Sequence, residues 1–174
     1  MHYKTRAFHW LSVVLVGIGV ILNFGGVSTI KGESRGSARD FTLKIVELTS
    51  SPSPFELGKS ELKLSVVVEL PRKLNGANLL ELTALISSPT QSSMRFLFQR
   101  LPLTLQPKPQ ENPHVHTALF WDGKDQNKNL VSPGTYRYEV RAKLMLEGGD
   151  GPRTKIVSER SHGTVEVINS QADP

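Results

Sequence analysis

The chain has 174 residues, a formal charge of +5 and no cysteine, which excludes disulfides, iron–sulfur clusters, cysteine nucleophiles and thiolate zinc sites together. The charge is no guide to partners, because Lys4, Arg6 and Lys31 all precede the first acidic residue, Glu33, and the remainder interleaves both signs, as in Arg137, Glu139 and Arg141. A nucleic-acid footprint needs clustered cations and stacking aromatics, so no nucleic-acid partner is expected.

Lys4 and Arg6 stand before an apolar run, Leu11 to Leu22, broken only by Ser12 and two glycines. A positive start followed by about 7–15 apolar residues is the pattern of a secretory signal, and Gly26-Val27-Ser28 offers small residues for cleavage after Ser28. Carried on to Val27 the run reaches 17 residues, the lower edge of a membrane span, so an uncleaved anchor fits the same residues. Either reading predicts an N-terminal hydrophobic helix over 1–28 with Lys4 and Arg6 held in the cytoplasm. The rest is then exported: periplasmic, secreted, or tethered to the inner membrane through that segment alone. No cysteine follows the run, which excludes a lipid-anchored lipoprotein.

Residues 29–40 are polar and glycine-rich, a linker into a domain over 41–168. Phe41, Leu43 and Ile45 alternate with Thr42 and Lys44 and predict a first strand into Leu48. Thr49 to Lys59 carries Ser-Pro-Ser-Pro and Gly58, which suits an edge or a crossing between sheets. Leu62, Leu64, Val66, Val68 and Leu70 line one face of a second strand. Leu80, Leu82, Ala84 and Ile86 line a third, with Leu79 and Leu85 predicting cover on its other side as well. Met94, Phe96 and Phe98 form the next apolar set, and Leu101, Leu103 and Leu105 follow out of phase. A bulge near Arg100-Leu101-Pro102 would let the apolar face switch. Gln106 to Pro113 is a proline-rich loop, after which Val115, Leu119 and Trp121 alternate with His116, Ala118 and Phe120. Glu147 to Gly151 predicts a hairpin turn; Lys155 to Ser158 and Thr164 to Ile168, parted by Ser161-His162-Gly163, finish the sheet before the polar tail 169–174. Short strands at regular spacing without a helical pattern predict an all-β fold, an antiparallel β-sandwich of about 7–8 strands.

The most regular stretch runs from Phe120 to Tyr138, FWDGKDQNKNLVSPGTYRY. Trp121 anchors the end of one strand; Asp122-Gly123 supplies a tight turn; Asp125, Asn127 and Asn129 can bond their own loop backbone. Ser132-Pro133-Gly134-Thr135 fits a type II turn, and from Tyr136 the alternation is strict, with Tyr136, Tyr138, Val140, Ala142, Leu144 and Leu146 on one face. Met145 is the apolar exception on the other face. The run W-D-G-K-D, an Asn-rich loop and V-S-P-G-T-Y-R-Y resembles the signature of the immunoglobulin-like domain of flagellar hook-capping proteins, a pattern shared by related bacterial domains on secreted and cell-surface proteins. The likeness covers roughly Phe41 to Leu146, with Lys128 where that family usually has glycine. It implies an Ig-like sandwich and a structural or assembly role, with Trp121, Asp122, Gly123, Asp125, Pro133, Gly134, Tyr136 and Tyr138 as the motif. It does not imply a flagellar partner, since the long segments that precede such domains in hook-capping proteins do not occur here.

Chemistry has few candidates. His114 and His116 share a strand face and could hold a metal only with a third ligand from Asp122, Asp125 or His162; a plain polar face is the simpler account. Asp125, Asn127 and Asn129 align with the start of a calcium loop, but Leu130 falls where glycine is required and Tyr136 where the bidentate glutamate belongs. No nucleophile elbow, phosphate loop or dinucleotide fingerprint occurs, so no catalytic, cofactor or metal residue is assigned and no enzyme is expected. Trp121 and Tyr136 are expected in the core, one phenol bonding backbone as a tyrosine corner does. The expected function is that of an exported, non-catalytic module that binds another envelope or secreted protein. Its expected contacts are Lys124, Asn127, Lys128 and Asn129 in one loop, and Lys108 and Gln110 in the proline-rich one. A small secreted inhibitor or chaperone-like binding protein using the 106–113 loop is the alternative, and a metal-dependent enzyme the less favoured one.

Overall fold

A computed structural model describes residues 41–104 and 112–170, which form nine β-strands. The N-terminal apolar segment, the linker, the centre of the proline-rich loop with Lys108 and Gln110, and the last four residues lie outside the described residues. β1 (Lys44–Ser51), β3 (Leu62–Glu69) and β6 (His114–Trp121) make a three-stranded sheet in the order β1-β3-β6. β2 (Phe55–Leu57), β4 (Leu79–Ser87), β5 (Ser93–Pro102), β7 (Gly134–Gly148) and β9 (Ser161–Asn169) make the second sheet, in the order β2-β9-β7-β4-β5, and β8 (Gly151–Val157) joins it beside β7.

The two sheets are stacked over one apolar core, supplied by alternate residues of each strand. Leu62, Leu64, Val66 and Val68 of β3 face Leu80, Leu82, Ala84 and Ile86 of β4 and Tyr136, Tyr138, Val140, Ala142 and Leu144 of β7 within a single cluster. Period-two alternation puts these side chains on one face because successive residues of a strand point to opposite sides. β7 runs the length of the sheet: β9 pairs with its first half, from Gly134 to Val140, and β8 with its second, from Lys143 to Gly148. Where the chain leaves β8 for β9, Ser158 fills the gap. Its N–H donates to the Ala142 carbonyl at 2.9 Å and its Oγ accepts the Ala142 N–H at 3.0 Å, so the ladder stays satisfied through the switch.

Several sequence expectations are corrected by packing. The stretch from Ser51 to Lys59 does cross between sheets, but it also contains β2, whose Phe55 and Leu57 are buried and which pairs parallel with Val167 to Asn169. In β5 the phase switch lies at Met94, not at Pro102. The register jumps from Ser87↔Ser93 to Ile86↔Arg95, so Met94 is the extra residue of a bulge and turns toward the core. From there Leu97 and Leu101 point inward, and Phe96 and Phe98 point out of the sandwich. Gly134 is the first residue of β7 at φ 151°, not the third place of a type II turn, which needs φ near about +80°. Ser161-His162-Gly163 belongs to β9 because Gly163 leaves room for a ring: a Cβ there would overlap the Tyr138 phenol of its cross-strand partner. The outward side of β4 is covered by long side chains of β5 and β7, with no further layer among the described residues.

Candidate functional site

The site is built at the end of the sandwich where β6 turns into β7. Trp121 closes β6 with no exposed surface, between Phe55 at 5.7 Å and Tyr136 at 5.4 Å between ring centroids, both tilted. Tilted rings at such spacing place edge hydrogens against a negative face, a favourable arrangement. Burying the indole would orphan its N–H, and the loop prevents this by returning the Lys124 carbonyl to Nε1 at 2.8 Å. Tyr136 does the same from the other strand. Its hydroxyl donates to the Ser132 carbonyl, four residues upstream, at 2.9 Å, and burial pushes the phenol pKa up. One corner is thus tied twice, each ring bonding the backbone of the loop between them.

Gly123 shows why this turn tolerates nothing larger. It sits at φ 72°, and a Cβ there would stand 2.6 Å from Leu57 Cδ2 and 3.2 Å from Phe55 Cε1. Beyond it the loop forms a miniature hairpin. The Val131 N–H reaches the Gly123 carbonyl at 3.0 Å, Lys124 bridges Leu130, and the Asp125 N–H reaches the Asn129 carbonyl at 2.8 Å. Asp122 Oδ1 accepts the Lys124 N–H at 3.1 Å, and Asp125 Oδ1 accepts the N–H groups of Asn127 and Asn129 at 2.8 and 2.9 Å. The hairpin is fastened to β5: Gln126 N–H donates to the Met94 carbonyl at 2.7 Å, and Arg95 Nη1 donates to the Asp125 carbonyl at 3.2 Å.

These bonds turn Asp125 inward and leave Asn127, Lys128, Asn129 and Leu130 projecting, with Leu130 60% exposed. Lys128 holds φ 67°, the backbone state in which glycine is at home, and forms no ion pair among the described residues. Lys124 is half-buried, its Nζ 4.0 Å from Asp122 Oδ2. Of the residues expected to make contact, Asn127, Lys128 and Asn129 therefore share one exposed tip, and Lys124 lies behind it.

The histidines do not gather. His114 and His116 are exposed on the outer side of the three-stranded sheet, His114 Nε2 lying 3.7 Å from Glu69 Oε2. His162 belongs to the other sheet, with Nδ1 4.0 Å from Glu139 Oε2, and the Asp125 carboxylate is engaged by backbone donors. Among the described residues no three His, Asp or Glu side chains come together to hold a metal. Sequence reading missed the part of Phe55 and Leu57 in this corner. They stand in a three-residue strand between a Ser-Pro repeat and Gly58, too short for alternation to register, and only their full burial under Gly123 gives them away.

No family model matches the chain, and no curated protein matches it either. Among solved structures it is similar to the solution structure of the Arabidopsis thaliana protein AT1g01470, with 14% identity over 74% of this chain and 82% of that one and a TM-score of 0.42.

Proposed function

We propose that the protein is an exported, non-catalytic Ig-like module that binds another protein of the cell envelope through the loop from Gly123 to Ser132. The observation that carries this is the contrast within that loop. Its frame is tied by Trp121, Tyr136 and the Asp125 carboxylate, while Asn127, Lys128, Asn129 and Leu130 are left exposed. A rigid tip loses little conformational freedom on binding, which is what a recognition loop on a rigid scaffold requires.

Strand order supports the Ig-like reading. Taken as A, B and E, the strands β1, β3 and β6 lie in one sheet, and β9, β7, β4 and β5 follow the G-F-C-C′ order in the other. Tyr136 then sits at the start of strand F, bonding backbone upstream as a tyrosine corner does. Export is supported by the cationic start and apolar run ahead of the domain.

A photo-crosslinking residue at Asn129 or Lys128, introduced into the full chain in intact cells, is expected to capture an envelope protein. The same probe at Lys63, on the exposed face of β3, is expected to capture little. Equal capture at both places, or capture of cytoplasmic proteins alone, would overturn the proposal.

A further inference from the structure

The outer face of the second sheet carries a trough over β4. Thr83, Leu85 and Ser87 form its floor, half-buried side chains that alternate with the core residues Leu82, Ala84 and Ile86. Side chains of the neighbouring strands stand on both sides, because β4 pairs with β5 on one flank and with β7 on the other. Two adjoining depressions of about 230 and 260 Å³ run along this floor and share Leu85 and Glu139. Glu81 closes one end, joined to Arg100 and to Lys143 at 2.9 Å each. At the other end the floor reaches Ser87 and Gln91. The backbones of two strands that flank a third are about 10 Å apart. Their side chains leave room for one extended chain but not for an α-helix, which is about 10–12 Å across.

The two walls differ in chemistry. On the β5 side Phe96 lines the trough and is 53% exposed, and Phe98 beside it on the same face is 64% exposed. On the β7 side stand Arg137, Glu139, Arg141 and Lys143. Lys143 is held by Glu81, and Glu139 is held by Arg160 at 3.1 Å. Arg137 and Arg141 form no ion pair among the described residues, and Arg141 Nε is buried without an acceptor. Buried donors are rarely left unmatched. The two unanswered arginines are four residues apart on one face of one strand, a span of about 14 Å.

We propose that this trough binds an extended acidic segment of another protein, with carboxylates at the first and fifth of five positions. Successive side chains of an extended chain point to opposite sides, so the first, third and fifth face β7 and the second and fourth face β5. The outer carboxylates then meet Arg137 and Arg141, whose planar forks take a carboxylate through two hydrogen bonds. Apolar side chains at the second and fourth positions lie against Phe96 and Phe98. The third position meets Glu139, which has its cation already, so a neutral residue is accepted there and an acid is repelled. That repulsive element discriminates among anions. A nucleic-acid strand carries a charge at every nucleotide and sets one against Glu139, while a flat lipid surface stays outside the walls. None of the lining residues belongs to the Gly123 to Ser132 loop, so the proposal does not rest on that loop's partner.

The probe is a fluorescein-labelled peptide, Gly-Asp-Leu-Ser-Leu-Asp-Gly, read by anisotropy with the purified full-length chain. Saturable binding is expected. A peptide of the same composition with adjacent aspartates, Gly-Leu-Asp-Asp-Leu-Ser-Gly, can meet only one arginine and is expected to bind about tenfold more weakly. Arg137→Gln and Arg141→Gln are each expected to weaken the first peptide by about the same factor. Glu139→Gln removes the repulsion and keeps the shape, so Gly-Asp-Leu-Asp-Leu-Asp-Gly should bind that variant more tightly than the parent. Lys63→Gln, on the outer face of the other sheet, is expected to change nothing. Melting curves that match the parent establish that the variants are folded, and the peptide series on the parent tests the spacing without any variant. Lack of saturable binding at millimolar peptide, or equal binding of the two first peptides, would overturn the proposal. So would tighter binding of a short oligothymidylate or of a soluble short-chain phosphatidylglycerol than of the first peptide.

Discussion

Trp121 illustrates how one residue can bind three elements. It ends β6, stacks against Phe55 of β2 and Tyr136 of β7, and holds the loop by its indole N–H. Truncation to alanine removes those contacts and leaves a cavity that rigid strands cannot collapse into, a change that costs about 3–5 kcal/mol. The Trp121→Ala variant is therefore expected to melt about 6–20 °C below the parent by circular dichroism, at roughly 2–4 °C per kcal/mol. A melting point unchanged within error would remove the tryptophan from the core. Lys128 poses the opposite case. At φ 67° a side-chain-bearing residue is strained by about 1–2 kcal/mol, part of which glycine gives back through the freedom of the unfolded chain. Lys128→Gly is expected to raise the melting point slightly and to weaken capture of the partner, because strain and contact reside in the same residue. A lower melting point would mean that the lysine side chain holds the loop in place.

At the scale of elements, the outer face of the second sheet is tied across three strands by Glu81. Its carboxylate lies 2.9 Å from Arg100 Nε on β5 and 2.9 Å from Lys143 Nζ on β7, both directly opposite in register. Burial alone would raise the Glu81 pKa; the hydrogen bonds and charges of Lys143 and Arg100 overcome it, and the net direction is down. A carboxylate depressed in the folded state contributes stability above its unfolded pKa, about 4.3, and that contribution is lost as pH falls through the folded value. Because Arg100 and Lys143 are partly exposed, screening reduces the worth of the cluster, and Glu81→Gln is expected to cost about 1–2 kcal/mol near pH 7. Denaturant melts of parent and variant should keep that gap above about pH 5 and narrow it progressively as pH falls below the unfolded value of about 4.3. A gap that persists in acid would mean that the glutamine fails by shape and not by charge. Glu81 is also where sequence reading thins out. β3 and the inner face of β7 are legible as written because their alternation is unbroken, and the tyrosine corner follows from its turn. Glu81 reads as one polar residue among leucines, and its two cations become visible only once β5 and β7 are aligned beside it. β5 itself misleads: the bulge at Met94 reverses the side on which Phe96 and Phe98 fall, and a single inserted residue leaves no mark in a run of alternating apolar side chains.

For the molecule as a whole, the decisive feature is that neither sheet has a core of its own. The three-stranded sheet buries Leu62, Leu64, Val66, Val68, Leu119 and Trp121 against residues of the other sheet, and the chain passes from β1 to β2 so that the two layers are joined early as well as late. Layers that share one apolar core cannot part without exposing both inner faces, so the domain is expected to unfold in one step, as compact domains of this size do. The chain has two tryptophans, Trp10 and Trp121, so in a Trp10→Phe background fluorescence reports the corner alone, while far-UV circular dichroism reports both sheets. Coincident denaturant midpoints are expected from the two signals. If fluorescence changed well before the dichroism, the corner would be opening on its own, and a loop that opens on its own could not present Lys128 and Leu130 as a fixed surface. The same measurement reaches β5, because Gln126 and Asp125 fasten the loop to the first residues of that strand. A corner that melts with the sheets therefore keeps the loop fastened to the start of β5 up to the global transition.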